Sequence, residues 1–470
     1  MMRMSSTALR VSPEVIRGFA SQTNTRKSDF DITIVGTGPV GLALAAGLQT
    51  NPHTRSLKVA ILDNQNTMKI QDWNPTSYSN RCVSVMSRSR KFFERIGAWD
   101  LMRRERLHPF QHIVAYDGIT NSKIQFDQTK DTEPMAFMAE NVNLQYGLLR
   151  SILKRKDLHQ DNFDFLVPCN IEGITRDEHT NTPCIHTSTH GVLRTRLLVG
   201  ADGRNSIVRR FAKIEMPGWA YLAHGVVGTL RVSQNNLPSV AFQRFLPTGP
   251  LAYLPLPGDN ATFVWSIYSE LAKKLLALPE PIFVKFLNAA FLLDQVDLDY
   301  LFKMDVSKPK NLEKQLDWRI ETKRRSLSFD TPPQITEIVP NSRASFPLRM
   351  AHVDEYVKEN VALCGDAAHN THPLAGQGMN TGIQDAEALT NALSYAIQHG
   401  QDPGSMFSLQ PYFKNRYFKN HVYLGTADKF HKLYALDNCV VSTVRSLGMS
   451  LFDRSSKLKQ AILSTVAKGI

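Results

Sequence analysis

The 470-residue chain is 42% hydrophobic and 21% charged, which excludes the disordered classes and leaves room for one large folded domain or two. Its formal charge of +12 favours anionic membranes or acidic proteins as partners, and without any helix-turn-helix, zinc or RNA-binding signature nucleic acid is set aside. Cys82, Cys169, Cys184, Cys364 and Cys439 are widely spaced, with no CxxC and no Cys/His cluster, so no disulfide framework and no metal centre is expected. No apolar run approaches the ~18 residues that cross a bilayer.

In chain order, residues 1–27 are rich in Arg and Ser and hold Glu14 as their single acid. That is the composition of a mitochondrial transit peptide, and Arg17-Gly18-Phe19-Ala20-Ser21 looks like a matrix-processing site. The β-branched run Ile32–Val35 ends in Gly36-Thr37-Gly38-Pro39-Val40-Gly41, and Leu42–Leu48 continues as a helix. A second strand, Leu57–Leu62, closes on Asp63. Ser79–Val85 and a helical stretch to Trp99 follow, then short strands over 107–140 and a helix running through Gln145, Leu148 and Ile152. Residues 164–195 alternate as strands, and Leu197–Val199 is a buried strand entering Gly200-Ala201-Asp202-Gly203. A β meander over 220–270 and helices over 270–304 come next. Residues 306–335 crowd Lys308, Lys310, Lys314, Arg319, Lys323, Arg324 and Arg325 between prolines with no sustained period, and read as an inserted surface loop. The last strand, Val361–Cys364, meets Gly365-Asp366, and the final seventy residues read as helices.

Strand, glycine turn, helix is the order a dinucleotide pyrophosphate needs. Gly36 permits the tight turn, Gly38 lets the backbone approach the phosphates, and Gly41 lets helix and strand pack. Asp63, about twenty residues on, stands where an acid grips a ribose. The same design recurs near residues 200 and 365, so one ligand using all three turns requires a discontinuous nucleotide domain. Asp366 can accept from a ribityl or ribose hydroxyl. Pro373 fixes its backbone, and Gly376-Gln377-Gly378 opens a helix whose N–H groups face an electron-rich ring edge.

At these residues the chain resembles the aromatic-hydroxylase class of flavoprotein monooxygenases. The resemblance rests on GTGPVG at Gly36–Gly41, GADGRNS at Gly200–Ser206 and GDAAHNTHPLAGQGMNTGIQDA at Gly365–Ala386. Within that class Pro250–Leu256, Ser345–Leu348 and the ending through Arg445 and Gly448 look like the ubiquinone-biosynthesis hydroxylases, and the presequence and basic insert look like their eukaryotic mitochondrial members. The resemblance implies an α/β fold: a Rossmann-type FAD-binding domain interleaved with a β-sheet substrate domain, and a helical C-terminus. The expected division is 1–27 transit peptide; 28–106, 140–215 and 346–400 FAD domain; 107–139 and 216–345 substrate domain; 401–470 C-terminal helices.

It further implies that Gly36, Gly38 and Gly41 cradle the FAD pyrophosphate and Asp63 binds the adenosine ribose. Arg81 and Gln145 would steady the phosphates and ribityl chain, and Asp202 and Gly203 belong to a motif linked to FAD and a nicotinamide reductant. Asp366 would hold the ribityl side, and Pro373, Gly376, Gly378 and Met379 would line the isoalloxazine. Asp63 is shorter than the family's usual Glu, and His372 before Pro373 is atypical. Arg81 can also be read as a surface ion-pair residue and Asp202 as a turn cap, while His369 and His372 are read as structural rather than as bases.

The implied reaction is hydroxylation of a polyprenylated phenol in ubiquinone synthesis through a flavin C4a-hydroperoxide, with O₂ and either a ferredoxin system or NAD(P)H as electron donor. No spacing identifies the base, so the catalytic residues stay open. The implied place is the mitochondrial matrix, peripheral on the inner membrane, beside other ubiquinone-biosynthesis proteins. A flavin hydroxylase or epoxidase of another lipid, or a prenyl-lipid carrier on a flavin fold, are the alternatives. The intact glycine motifs oppose the carrier. Leu447, Leu451, Phe452, Leu458, Ile462, Leu463 and Val466 among Arg445, Arg454, Lys457, Lys459 and Lys468 suit a helix at an anionic membrane surface, or one packed on the flavin domain.

Overall fold

The computed structural model describes residues 29–127, 133–156, 162–233, 239–306, 308–325, 330–371, 377–436, 438–455 and 457–459. The expected transit peptide lies outside them. So do Pro373 and Gly376, together with His372, and Ile462, Leu463, Val466 and Lys468.

Two large sheets organise the chain. The first places Phe30–Val35 between Gly191–Gly200 and Val59–Leu62, all parallel, with Val361–Leu363 beyond one neighbour and Phe163–Leu166 beyond the other. The register sets Ile34 against both Val199 and Ile61. Strands buried on both faces need unbroken apolar runs, and Ile32, Ile34, Val59, Ala60, Ile61 and Leu62 are fully buried. Helices Pro39–Thr50, Asn141–Lys156 and Gln377–Gln398 pack together beside it.

The second sheet has nine strands, ordered through His369–Asn370, Ala344–His352, Gly218–Val232, Asn260–Tyr268, Gly249–Pro255, Val240–Leu246, His112–Asp117 and Lys123–Asp127, with Ile335–Ile338 beside the longest. Its strands alternate. Phe263, Trp265 and Ile267 point into a core shared with helices Ser269–Ala277, Glu280–Leu292 and Gln295–Lys303. A small sheet of Cys82–Met86, Ala136–Glu140 and His108–Phe110 contributes Met86, Phe110 and Met138 to a third apolar cluster with Met135, Ala241 and Leu256.

Two expectations are corrected here. The stretch 306–335 is largely helical: Pro309–Arg325 forms a 17-residue helix. Leu312 and Leu316 bury one narrow edge of it against Glu280–Leu292, and Lys285 bridges to Glu313 at 2.7 Å and Asp317 at 2.8 Å. Burial of the two leucines, worth about 1.5–3 kcal/mol each, offsets the crowd of like charges. The expected domain line at residue 346 also falls inside the strand Ala344–His352, which pairs with Gly218–Val232. Likewise the line at 106 and 140 runs through the small sheet, because strand pairing ignores sequence distance.

Candidate active site

The three glycine turns converge. At Gly36 the backbone takes φ +111°, and a Cβ there would stand 2.3 Å from the Ala201 carbonyl oxygen. Ala201 N–H donates to the Val35 carbonyl at 2.8 Å, and Cys364 N–H donates to the Gly200 carbonyl at 2.9 Å. The third turn joins through Val40, whose methyl groups meet Gly365 and Gly382. Segments far apart in the chain thus surround one end of the parallel sheet, the place where α/β folds bind nucleotides.

Gly38 caps the helix Pro39–Thr50 with no side-chain hydrogen bond and no acid in the first turn. A Cβ on Gly38 would meet nothing within 4 Å. The helix N-terminus is therefore open toward an anion, and its N–H groups and dipole favour one. Asp63 accepts from Thr37 N–H at 2.8 Å, Thr37 Oγ1 at 2.7 Å and Gln65 N–H at 2.9 Å. Gln145 Nε2 donates to the Thr37 carbonyl at 3.0 Å, and Thr67 Oγ1 also meets Thr37 Oγ1. Sequence reasoning passed over Thr37 as the variable residue between glycines. It is the point on which Asp63, Thr67 and Gln145 close.

The two oxygens of Asp202 stand in different surroundings. Oδ2 accepts from Ile207 N–H at 2.7 Å and caps the short helix Ile207–Phe211. Oδ1 is buried and has no hydrogen-bond partner among the described residues. Burial pushes the Asp202 carboxyl up, against the hydrogen bonds of Ser206 and the turn. A buried acceptor left over is costly unless a ligand donates to it, so Oδ1 fits a hydroxyl of a bound cofactor. Gly203 continues the turn with φ +77°.

Asp366 lies in the turn Gly365–Ala367 with its side chain exposed. Crowding by surrounding protein raises its pKa, and His369 and Arg204 pull the other way. Gly378 and Met379 open the helix Gln377–Gln398, and Met379 packs on the first core. Asn380, unread in the sequence, ties that helix start to the small sheet, accepting from Met86 N–H at 3.0 Å and donating to the Ser84 carbonyl at 2.8 Å. Arg81 is exposed, and its carbonyl accepts from Asn141 N–H at 2.9 Å. Its guanidinium takes no protein partner among the described residues.

Beneath the Gly365 turn lies a buried polar cluster. Asp385 accepts from Gly365 N–H at 3.1 Å, His369 Nε2 at 2.5 Å, Arg416 Nε at 2.8 Å and Asn420 Nδ2 at 3.0 Å. His369 is thus held in a structural place. His352 Nε2 and the Tyr356 hydroxyl, 2.7 Å apart, extend the cluster. Among the described residues no group of His, Cys, Asp and Glu could hold a metal ion, and no helix is long and apolar enough to cross a membrane.

Replacing Asp366 by alanine is expected to weaken FAD binding by the worth of a charged hydrogen bond, about 1.5–3 kcal/mol, with asparagine in between. Equal FAD affinity of wild type and alanine variant by fluorescence titration would remove Asp366 from the site.

Residues 29–272 and 295–406 match the FAD binding domain family. Two solved structures share the fold: p-nitrophenol 4-monooxygenase PnpA from Pseudomonas putida DLL-E4 (TM-score 0.67, 18% identity, covering 94% of this chain and 98% of that one) and pqsL, a probable FAD-dependent monooxygenase from Pseudomonas aeruginosa (TM-score 0.64, 21% identity, 90% and 99%). The family match over most of its length makes the chain an FAD-binding protein, and the relatives that follow make it a monooxygenase. The protein named ubiquinone biosynthesis monooxygenase COQ6, mitochondrial, from Schizosaccharomyces pombe is 64% identical over 97% of this chain and 95% of its own length. Its counterparts from Saccharomyces cerevisiae and Homo sapiens are 37% and 31% identical, covering 96% and 93% of this chain and 96% and 92% of their own lengths. The chain belongs to this family of mitochondrial ubiquinone-biosynthesis monooxygenases.

Proposed function

We propose that the enzyme hydroxylates the aromatic ring of a polyprenylated phenol in ubiquinone synthesis, working in the mitochondrial matrix against the inner membrane. The observation that carries this reading is the 64% identity to a ubiquinone biosynthesis monooxygenase along almost the whole chain, with all three cofactor turns converging. FAD, when bound, supplies the activation of O₂, with one oxygen atom entering the ring and the other leaving as water. The protein's own residues hold and exclude. The Gly38 turn receives the pyrophosphate, Thr37 and Asp63 the ribose, and Asp202 Oδ1 and Asp366 the polyhydroxyl chain. Met86, Phe110, Met135, Met138 and Leu256 form a buried apolar cluster beside the large sheet. Electrons reach the flavin from a ferredoxin system or from NAD(P)H, docking transiently, because the sequence has one glycine-rich dinucleotide turn of this kind. Other ubiquinone-biosynthesis proteins are its neighbours in this reading.

Purified protein should be yellow, absorbing near ~450 nm as flavins do. Under labelled O₂, a short-chain prenylated phenol should gain one labelled oxygen when either donor is supplied. Colourless protein, or product without label, would overturn the reading.

A further inference from the structure

We infer that the helix Cys439–Arg454 is the face by which the protein lies on an anionic lipid bilayer, an inference that rests on the membrane-dissolved substrate proposed above. Val440, Val444, Leu447 and Leu451 follow one another at helical spacing, so their side chains form a single stripe. They are 71%, 66%, 63% and 60% exposed, and Leu458 continues the stripe at 54%. Scattered surface leucines need no explanation, but a continuous stripe along one helix does.

The helix cannot roll to hide it. On the opposite face the Arg445 guanidinium pairs with Asp117, both buried, on the strand His112–Asp117. Gln125 N–H donates to Asp453 at 2.9 Å, Ser122 and Ser446 hydroxyls lie 2.5 Å apart, and Phe452 meets Phe126 with centroids 6.1 Å apart. Ser442 and Met449 are buried on the same side. The fold therefore fixes the apolar stripe outward.

Charge selects the occupant. Arg454 and Lys457 are exposed beside the stripe. Asp453 is the sole acid in residues 438–459, and it is turned inward, held by Gln125 and by Lys459 at 3.0 Å. A second copy of this chain would set the same cationic rim against itself, which is unfavourable in a two-fold interface. Acyl chains beneath anionic headgroups satisfy both the stripe and its rim, with the helix lying in the plane of the surface.

The test is flotation of the full-length protein with phosphatidylcholine vesicles, with and without cardiolipin, at low and high salt. Wild type is expected to float with the cardiolipin vesicles and to be released by salt. The pairs Leu447→Glu/Leu451→Glu and Arg454→Glu/Lys457→Glu, all at exposed positions, should each lower the bound fraction by about tenfold while FAD content and melting stay unchanged. Unchanged flotation of either pair, or equal binding to neutral vesicles, would overturn the inference. So would a variant that binds as wild type but changes oligomeric state in light scattering, which would assign the stripe to a second copy. Turnover of a short-chain phenol without vesicles separates the two readings. It should be equal in wild type and variants, and its absence in wild type would count against the proposed hydroxylation without touching the flotation result.

Discussion

Replacing Asp385 by alanine is expected to cost about 3–5 kcal/mol of stability and the flavin with it, because the buried Arg416 is left without its counter-charge. That is a large share of the ~5–15 kcal/mol that holds a typical domain together. At about 2–4 °C per kcal/mol for a domain of roughly 200 residues, melting should fall by about 10 °C. Burial pushes the Asp385 carboxyl up, but His369 and Arg416 overcome that and hold it well below the usual carboxylate range. Burial, with His369 and His421 adding to it, lowers His352 to about 3. Both folded pKa values lie below the unfolded ones, so the unfolded chain takes up more protons as pH falls. The stabilisation is complete above about pH 6.5 and is lost below it, first through His352 and then, below about 3.9, through Asp385. Melting between neutral pH and about pH 5 should therefore decline in wild type and decline less in His352→Gln. An Asp385→Ala protein that melts with wild type and keeps its FAD would show the cluster to be incidental.

Two alanine substitutions in one turn should separate binding from folding. Gly38 has φ −60°, which alanine adopts freely, and its Cβ would touch no protein atom within 4 Å. Gly38→Ala should fold as wild type yet lose FAD, since the methyl group fills the approach to the pyrophosphate. Displacing about two charge-assisted hydrogen bonds at about 1.5–3 kcal/mol each lowers affinity by at least about a hundredfold. Gly36→Ala should fail earlier: φ +111° strains any side chain, and the Ala201 carbonyl 2.3 Å away is backbone that cannot yield. Circular dichroism and flavin content measured on both variants decide the matter. A Gly38→Ala enzyme with stoichiometric FAD would displace the pyrophosphate from this turn.

The parts legible in the sequence were those with short-range signals. Ile32–Gly41 and Val361–Asp366 each announce a buried strand and a turn within ten or so residues, because parallel strands buried on both faces must read as apolar runs. Leu312, Leu316 and Ile320 stood at i, i+4 and i+8 and were a helix signal, but so narrow a stripe was hidden among the lysines and arginines. The Asp385 cluster was harder to see. Asp385 sits in a helix that also carries Gln384 and Glu387, so nothing marks it out, and nothing near Arg416 in sequence points to a partner thirty-one residues back. Thr37 escaped for the opposite reason: any residue fits between the glycines until the fold brings Asp63 and Gln145 to it. The sheet boundaries were unreadable because pairing partners lie at distances no local pattern records.

The strand order also governs when this protein can fold. Phe30–Val35 is made early, but its neighbour's outer partner is Val361–Leu363, and the charge that completes the cluster beneath the Gly365 turn is Arg416. A chain emerging N-terminus first thus carries Leu198–Gly200 without their outer partner strand until Val361–Leu363 is made. Any break in translation before the helix Met406–Ala435 leaves Asp385 in an apolar interior with its arginine still unmade. Truncation before Arg416 is accordingly expected to cost flavin binding and to leave the product more open to proteolysis than the full-length protein.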